Sequence, residues 1–366
     1  MNIKTPTLII DKNKVRNNIL KMSDKANLSK AAFRPHAKTH QSAEIGDLFK
    51  DQGINKITVS SVSMALYFAD NGWDDITIAF PVVINHIDEI DELSRRITLN
   101  VLVESTYTAN ILSKNITHSL GVFIKIDTGY HRTGLLPENP DIENVINILE
   151  TSQHLVFKGF LSHAGHTYSA KGKNEVLKIM NDSKAILTNL KQKYINKYPE
   201  IVISYGDTPS CSMADNCTGF DEIRPGNFVY YDVMQYHIGS CKLNEIAVAV
   251  ACPIVAIHPQ RNEIVIFGGA IHLSKEFIAA DNNFKLFGYI VNFKEDGWSD
   301  PIPGAYVSSL SQEHGIVVMP EKYLINYKPG DTIGVLPIHS CLTANLLLEN
   351  KPIWTKSNMG LVTNLI

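Results

Sequence analysis

What most constrains this chain is a change of rhythm in its apolar pattern. Up to about residue 240, short runs rich in β-branched and aromatic residues alternate with longer stretches at helical spacing. Strand-like runs fall at 31–36, 57–61, 76–80, 99–103, 122–126, 157–162, 201–205 and 222–224, with helical stretches such as 84–96, 139–151 and 174–198 between them. Strand–helix–strand repetition implies parallel strands, because a parallel neighbour is reached only through a long crossover. Eight strands predict an α/β fold, a (β/α)8 TIM-like barrel over residues 1–240, although an open doubly wound sheet carries the same signature. The extreme N-terminus is the exception, able to pack with the β domain that follows.

From about Cys241 the long helices drop out. Runs at 246–257, 263–267, 285–291, 307–310, 315–319 and 332–336 are separated by segments carrying Pro259, Pro301, Pro303, Pro320 and Pro329. This predicts an antiparallel β domain over 241–366, with the boundary near 238–245.

A formal net charge of -3 and 44% hydrophobic residues leave ample material for a core and no general affinity for polyanions. A small-molecule substrate is expected, with no nucleic acid and no membrane partner. The start, Met1 to Lys14, lacks the layout of a signal peptide, and the longest apolar stretch is interrupted by Pro253. Five scattered cysteines (Cys211, Cys217, Cys241, Cys252 and Cys341) suit a reducing, cytoplasmic setting.

Parallel barrels carry their chemistry at the C-terminal ends of strands. Reactive residues gather there: Arg34 to His40 after the first run, Asp127 to Gly134 after the fifth, Ser162 to Tyr168 after the sixth, Gly206 to Ser210 after the seventh, and Arg224 to Asn227 after the eighth. Lys38, between His36 and His40, is expected to be partly desolvated beside groups that can become cationic, which lowers an amine pKa and makes it a nucleophile. Taken alone, the segment also suits a solvated surface lysine. The small residues at 206–210 and 226–227 would let a phosphate approach the main chain, or are simply turns. A nucleophilic lysine with a phosphate cup is what pyridoxal 5'-phosphate requires.

In the β domain, an extended segment through Pro337 to Cys341 would put His339 and Cys341 on one face, able to bind a borderline cation such as Zn2+. A core cysteine beside a surface histidine is the plainer alternative. Ser311 to Gly315 forms a second polar knot that could supply acid–base groups or support the metal ligands.

Assembled, these residues resemble the D-serine dehydratase / D-threonine aldolase family, alanine racemase-like enzymes of fold type III. The carriers are Arg34-Pro35-His36-Ala37-Lys38-Thr39-His40, Asp127-Thr128-Gly129 through Arg132-Thr133-Gly134, Glu222 to Asn227 through Tyr231-Asp232, Gln312-Glu313-His314-Gly315, and Pro337 with His339-Ser340-Cys341. The resemblance implies that Lys38 joins pyridoxal phosphate through an imine and takes the substrate Cα proton. His339 and Cys341 would hold a divalent metal, Zn2+ first, with Mn2+ or Mg2+ as alternatives. It implies that Arg132 and Tyr168 contact the cofactor ring, that Gly206, Thr208, Gly226 and Asn227 lie near its phosphate, and that His36 and His163 share the pocket. It also implies a homodimer with the active site between barrel and β domain, acting on D-amino acids that carry a β-hydroxyl. Dehydration of D-serine is the first expectation, because His-x-Cys is similar to the zinc-dependent dehydratases. Retro-aldol cleavage is the second, with a racemase or a non-catalytic cofactor carrier behind it.

Overall fold

All eight strand-like runs of the first part of the chain form strands that pair side by side and parallel. Their order is Ala32–Phe33, Glu222–Ile223, Val202–Tyr205, Leu155–Ser162, Leu120–Lys125, Thr98–Val103, Asp75–Pro81 and Ile57–Val59. A parallel bridge joins His36 to Thr58. Ala37 N donates to Thr58 O at 2.8 Å and Thr58 N to Pro35 O at 2.9 Å, tying the last strand of that order back to the first.

Strand Leu120–Lys125 is buried at every position, as a strand covered on both faces must be. Leu102, Phe123 and Leu161 pack together with Ala79 and Val202 as one core cluster. Side chains on a strand alternate faces, so Lys125 shares the face of Phe123. The outer layer is amphipathic helix: Asp141–Thr151 buries Ile142, Val145, Ile146 and Leu149, spaced as one helical stripe. Three helices start on serines that follow strand ends, Ser42, Ser61 and Ser105, each accepting from the amide three residues on. Such a cap contributes ~1 kcal/mol and fixes where the chain turns back.

The computed structural model describes residues 3–280, 284–348 and 352–355. It divides into Ile19–Phe228 and a second unit assembled from Met1–Asn18 with Val229–Ile366. The second unit thus begins at Val229, ahead of the boundary expected near 238–245, and includes the N-terminal strand Thr7–Ile10. The reason is visible in the bonding: Thr7–Ile10 runs antiparallel to residues 248–251, and Ala247 N donates to Tyr230 O at 2.7 Å, which holds the segment before the first long strand to this unit.

Its sheet runs Glu263–Phe267, His314–Val318, Tyr306–Leu310, Gly288–Val291, Thr332–Pro337, Val248–His258, Thr7–Ile10 and Ile353–Trp354. Val248–His258 pairs again with Glu263–Phe267, so the sheet closes on itself. A register shift between Ile254 and Ala256 lets this long strand serve different neighbours along its length. Pro253 sits just before that irregularity, where a missing donor is tolerated. Among the described residues, no helix is long and apolar enough to cross a membrane.

Candidate active site

The turn after Ala32–Phe33 is built on a buried salt-bridge network. Arg34 Nε donates to Glu222 Oε2 at 2.6 Å and Nη1 to Asp75 Oδ1 at 2.7 Å. Burial works against the guanidinium's charge, but Glu222 and Asp75 outweigh it and hold its pKa above the usual value. Past it, the chain turns through residues 37–40 and leaves the Lys38 side chain exposed. The expected partial desolvation of Lys38 is therefore corrected. So is the cationic flank: burial pushes His36 well below the usual imidazole value, and pushes His40 down to about 3. His40 belongs to the core, stacked on Phe49 at 5.7 Å. His36 Nδ1 accepts from Lys38 N at 3.4 Å. Both imidazoles are neutral near pH 7, so neither repels a charged amine.

The positive charge near Lys38 comes from elsewhere. Lys125, at the end of its strand, is 5% exposed, and its pKa falls to about 7, through burial first and then through Arg224 and Arg132, against the opposing pull of Asp127 and Glu104. Arg224 is also buried; Nε donates to Ser204 Oγ at 2.7 Å and Nη2 to Ser162 O at 2.5 Å. Burial brings it down to about 10. Those bonds go to neutral oxygens, and the nearest offsetting charge on Arg224 is that of Glu222; among the described residues neither buried cation makes a salt bridge to a carboxylate, an arrangement that suits a bound anion. Lys125 was not singled out from sequence, and Arg224 only as part of a polar strand-end turn with no role of its own. The available signal was a lone lysine ending an otherwise apolar strand, and an arginine opening the Arg224-Pro225-Gly226-Asn227 turn.

His163 lies in the same group: its Nδ1 donates to Gly206 O at 2.6 Å, and burial, Lys125 and Lys38 push its pKa well down. Its ring is 6.4 Å from Tyr168 and 6.0 Å from Tyr130. The Arg132 guanidinium lies 4.9 Å from the Tyr130 ring centroid and also acts on Lys125 and His163. Thr208, first residue of helix Thr208–Met213, has a buried Oγ1 with no hydrogen-bond partner, and Asn227 is buried. Gly206 and Gly226 have a packing reason of their own. A Cβ at 226 would stand 2.9 Å from His36 Cβ, and one at 206 would stand 2.8 Å from the Arg224 carbonyl carbon. The orphaned Thr208 hydroxyl and the buried cations fit the phosphate of pyridoxal phosphate, with Lys38 as the amine for its aldehyde.

In the other unit, strand Thr332–Pro337 ends before His339, which is extended at φ -134° and ψ 98° and caps helix Ser340–Leu346. The expected strand alternation of His339 and Cys341 is therefore corrected: Cys341 lies in the first turn of a helix. The two side chains nevertheless hydrogen-bond, because the helix brings its first turn back over the capping residue. His339 Nδ1 donates to Glu276 Oε2 at 2.6 Å. Burial pulls His339 down, but its bonds to Cys341 and Glu276, with the charges of Cys341 and Asp232, outweigh this and push it up to about 11. Asp232 is 1% exposed. It accepts from Gln235 N at 2.8 Å and from Ser340 N at 2.9 Å, so one carboxylate caps helix Val233–Ile238 and anchors the residue between the two candidate ligands. Among the described residues no cluster of three or more His, Cys, Asp or Glu could hold a metal. An imidazole and a thiolate remain, a donor pair that fits Zn2+ with open positions.

The knot at Ser311 to Gly315 works mainly through its backbone. Gly268 N donates to Glu313 O at 3.0 Å and Ala270 N to Ser311 O at 2.8 Å. A Cβ on Gly269 would stand 2.2 Å from Gln312 O. The knot thereby seats helix Ala270–Leu273, and the Glu313 charge partly offsets the burial that lowers His272.

Residues 10–233 match the family described as alanine racemase, N-terminal domain, and residues 247–349 match a serine dehydratase domain. D-serine dehydratase of Dictyostelium discoideum is 31% identical over 95% of this chain and 93% of that protein. D-threo-3-hydroxyaspartate dehydratase of Delftia sp. is 24% identical over 94% of this chain and 92% of that one. A solved structure of the Delftia sp. HT23 enzyme superposes with a TM-score of 0.87 at 23% identity, covering 94% of this chain and 93% of that one. Alanine racemase of Clostridium difficile 630 superposes at 0.64 with 15% identity, over 96% and 92%. The fold is alanine racemase-like.

Proposed function

The chain belongs to the D-serine dehydratase / D-threonine aldolase family of alanine racemase-like, pyridoxal-phosphate-dependent lyases, and on that premise we propose that it removes water from a D-3-hydroxy amino acid, D-serine foremost, giving a 2-oxo acid and ammonia with the help of Zn2+. The observation that carries this reading is the hydrogen-bonded His339–Cys341 pair. A thiolate favours zinc over manganese or magnesium, and a Lewis acid is what loss of a hydroxyl needs.

Lys38 would hold pyridoxal phosphate, which would supply an electron sink beside the substrate's Cα, and His339 and Cys341 would hold a cation supplying a Lewis acid for its β-hydroxyl. Lys38 Nζ, exposed on its turn, would take the Cα proton as the free amine that remains once the substrate's own amine has replaced it. Lys125 and Arg224 hold buried positive charge against which an anionic group is stabilised. Thr208 and Asn227 offer hydrogen bonds to a phosphate, and Arg132 and Tyr168 line the ring's place. His36 and His163, neutral near pH 7, bind without adding charge.

Metal-loaded enzyme is tested with D-serine and with D-threonine. Release of a 2-oxo acid and ammonia supports the reading; glycine and acetaldehyde from D-threonine, with no 2-oxo acid from either, would replace it with retro-aldol cleavage.

The eight parallel strands read as a closed (β/α)8 barrel on the strength of the His36–Thr58 bridge. Exposed Ile271, Leu342 and Leu346, on two helices that pack together, support a homodimer in which a second copy covers them. Five free thiols support a reducing, cytosolic setting.

A further inference from the structure

Glu276 takes no part in the chemistry above, yet the chain bends out of its way to place it. Its side chain is 46% exposed, where a carboxylate is ordinarily left to water, but its Oε2 is 2.6 Å from His339 Nδ1. The approach runs through Ser274, a buried residue at φ 68°, a left-handed conformation that strains any residue with a Cβ. Ser274 Oγ then accepts from Glu276 N at 3.3 Å, so the strained residue both turns the chain and fastens Glu276. Strain of this kind persists where the surroundings over-determine it, and it clusters at functional sites.

A neutral imidazole has one N–H and one lone pair. Without a metal the ring holds a proton on both nitrogens; a cation that displaces the Nε2 proton takes the lone pair there, while Nδ1 keeps its proton toward Glu276. We propose that Glu276 is a positioning residue for metal capture, fixing His339 in the tautomer and ring orientation that present Nε2 to a divalent cation shared with Cys341. Asp232 complements it through the backbone: bonds from Ser340 N at 2.9 Å and Ser340 Oγ at 3.2 Å hold the residue between the two ligands. Glu276 is not counted as a third ligand, since no three-donor cluster exists among the described residues. The inference rests on the metal reading above and deepens it. Carboxylates that orient a ligating histidine usually change metal affinity by about 10–100-fold when removed.

The test measures Zn2+ affinity of the cofactor-loaded enzyme by competition with a chromophoric chelator, for wild type, Glu276→Ala, Glu276→Gln and Cys341→Ala. Glu276→Ala should bind zinc about 10–100-fold more weakly. Glu276→Gln should recover part of the loss, because its amide oxygen still accepts the Nδ1 proton. Both should keep the wild-type cofactor absorbance and melting temperature, which a general structural role would not spare. Equal affinity in wild type and Glu276→Ala, with zinc lost in Cys341→Ala, overturns this inference and leaves the metal reading standing. Equal affinity in wild type and Cys341→Ala overturns the metal reading and the inference with it.

Discussion

Lys125→Met should make the cofactor-free protein more stable near neutral pH while weakening its hold on the cofactor. The unfolded chain carries a proton on this amine up to about pH 10.5, whereas the folded protein carries it only up to about 7. The difference of about 3.5 pH units, at ~1.36 kcal/mol each, sets a ceiling of roughly 5 kcal/mol on what burying this lysine costs. Water entry and local relaxation reduce that, so a gain of about 2–3 kcal/mol is the working expectation. The sign follows from proton binding. Between pH 7 and 10.5 the unfolded state holds more protons than the folded one, so wild-type stability rises with pH across that window and the cost is fully felt only below it. The variant has nothing to titrate, so its advantage should be largest at pH 7 or below and fade toward pH 10.5. Thermal and denaturant melts of both cofactor-free proteins between pH 6.5 and 10.5 measure it, and equilibrium dialysis against pyridoxal phosphate measures the loss of binding. A variant less stable than wild type at pH 7, or an advantage that does not change with pH, would refute the argument that burial outweighs Asp127 and Glu104 and leaves a costly charge at this strand end.

Cys341→Ala should lose zinc and dehydration while keeping the cofactor absorbance at Lys38, read by metal analysis, turnover and visible spectroscopy together. Asp232→Ala removes a helix cap and leaves the Ser340 amide without its acceptor, so about 2–3 kcal/mol of stability should go, seen as a lower denaturation midpoint. Gly226→Ala forces a Cβ to 2.9 Å from His36 Cβ and should cost about 1–3 kcal/mol, together with weaker cofactor retention on gel filtration.

The strand positions were legible because a parallel strand covered on both faces leaves a local record: a short apolar run bounded by helical spacing. That record named all eight strands of the first unit, and 263–267 to the residue. It did not mark Thr7–Ile10 as a strand; the N-terminus was expected only to be able to pack with the β domain, and its pairing depends on a partner at residues 248–251 that no local pattern reveals. The Lys38 turn and the His339–Cys341 pair are also readable, but for physical reasons that local sequence does not contain. Lys38 is exposed rather than desolvated, and the histidine–cysteine contact comes from a helix start rather than from alternation along a strand.

Composition and periodicity by themselves determined the classes of element, their order, and which polar residues stand at strand ends, because each of these depends on neighbours along the chain. Only the tertiary structure decided which of those polar groups carry charge. Lys125 ends one strand and Arg224 follows another; loss of water lowers both, with Arg224 adding to the effect on Lys125 and Glu222 opposing it at Arg224. Neutral His36 and His40, and His339 between Glu276 and Cys341, follow the same rule: desolvation and Coulomb energy depend on distance through space, which no reading along the chain contains.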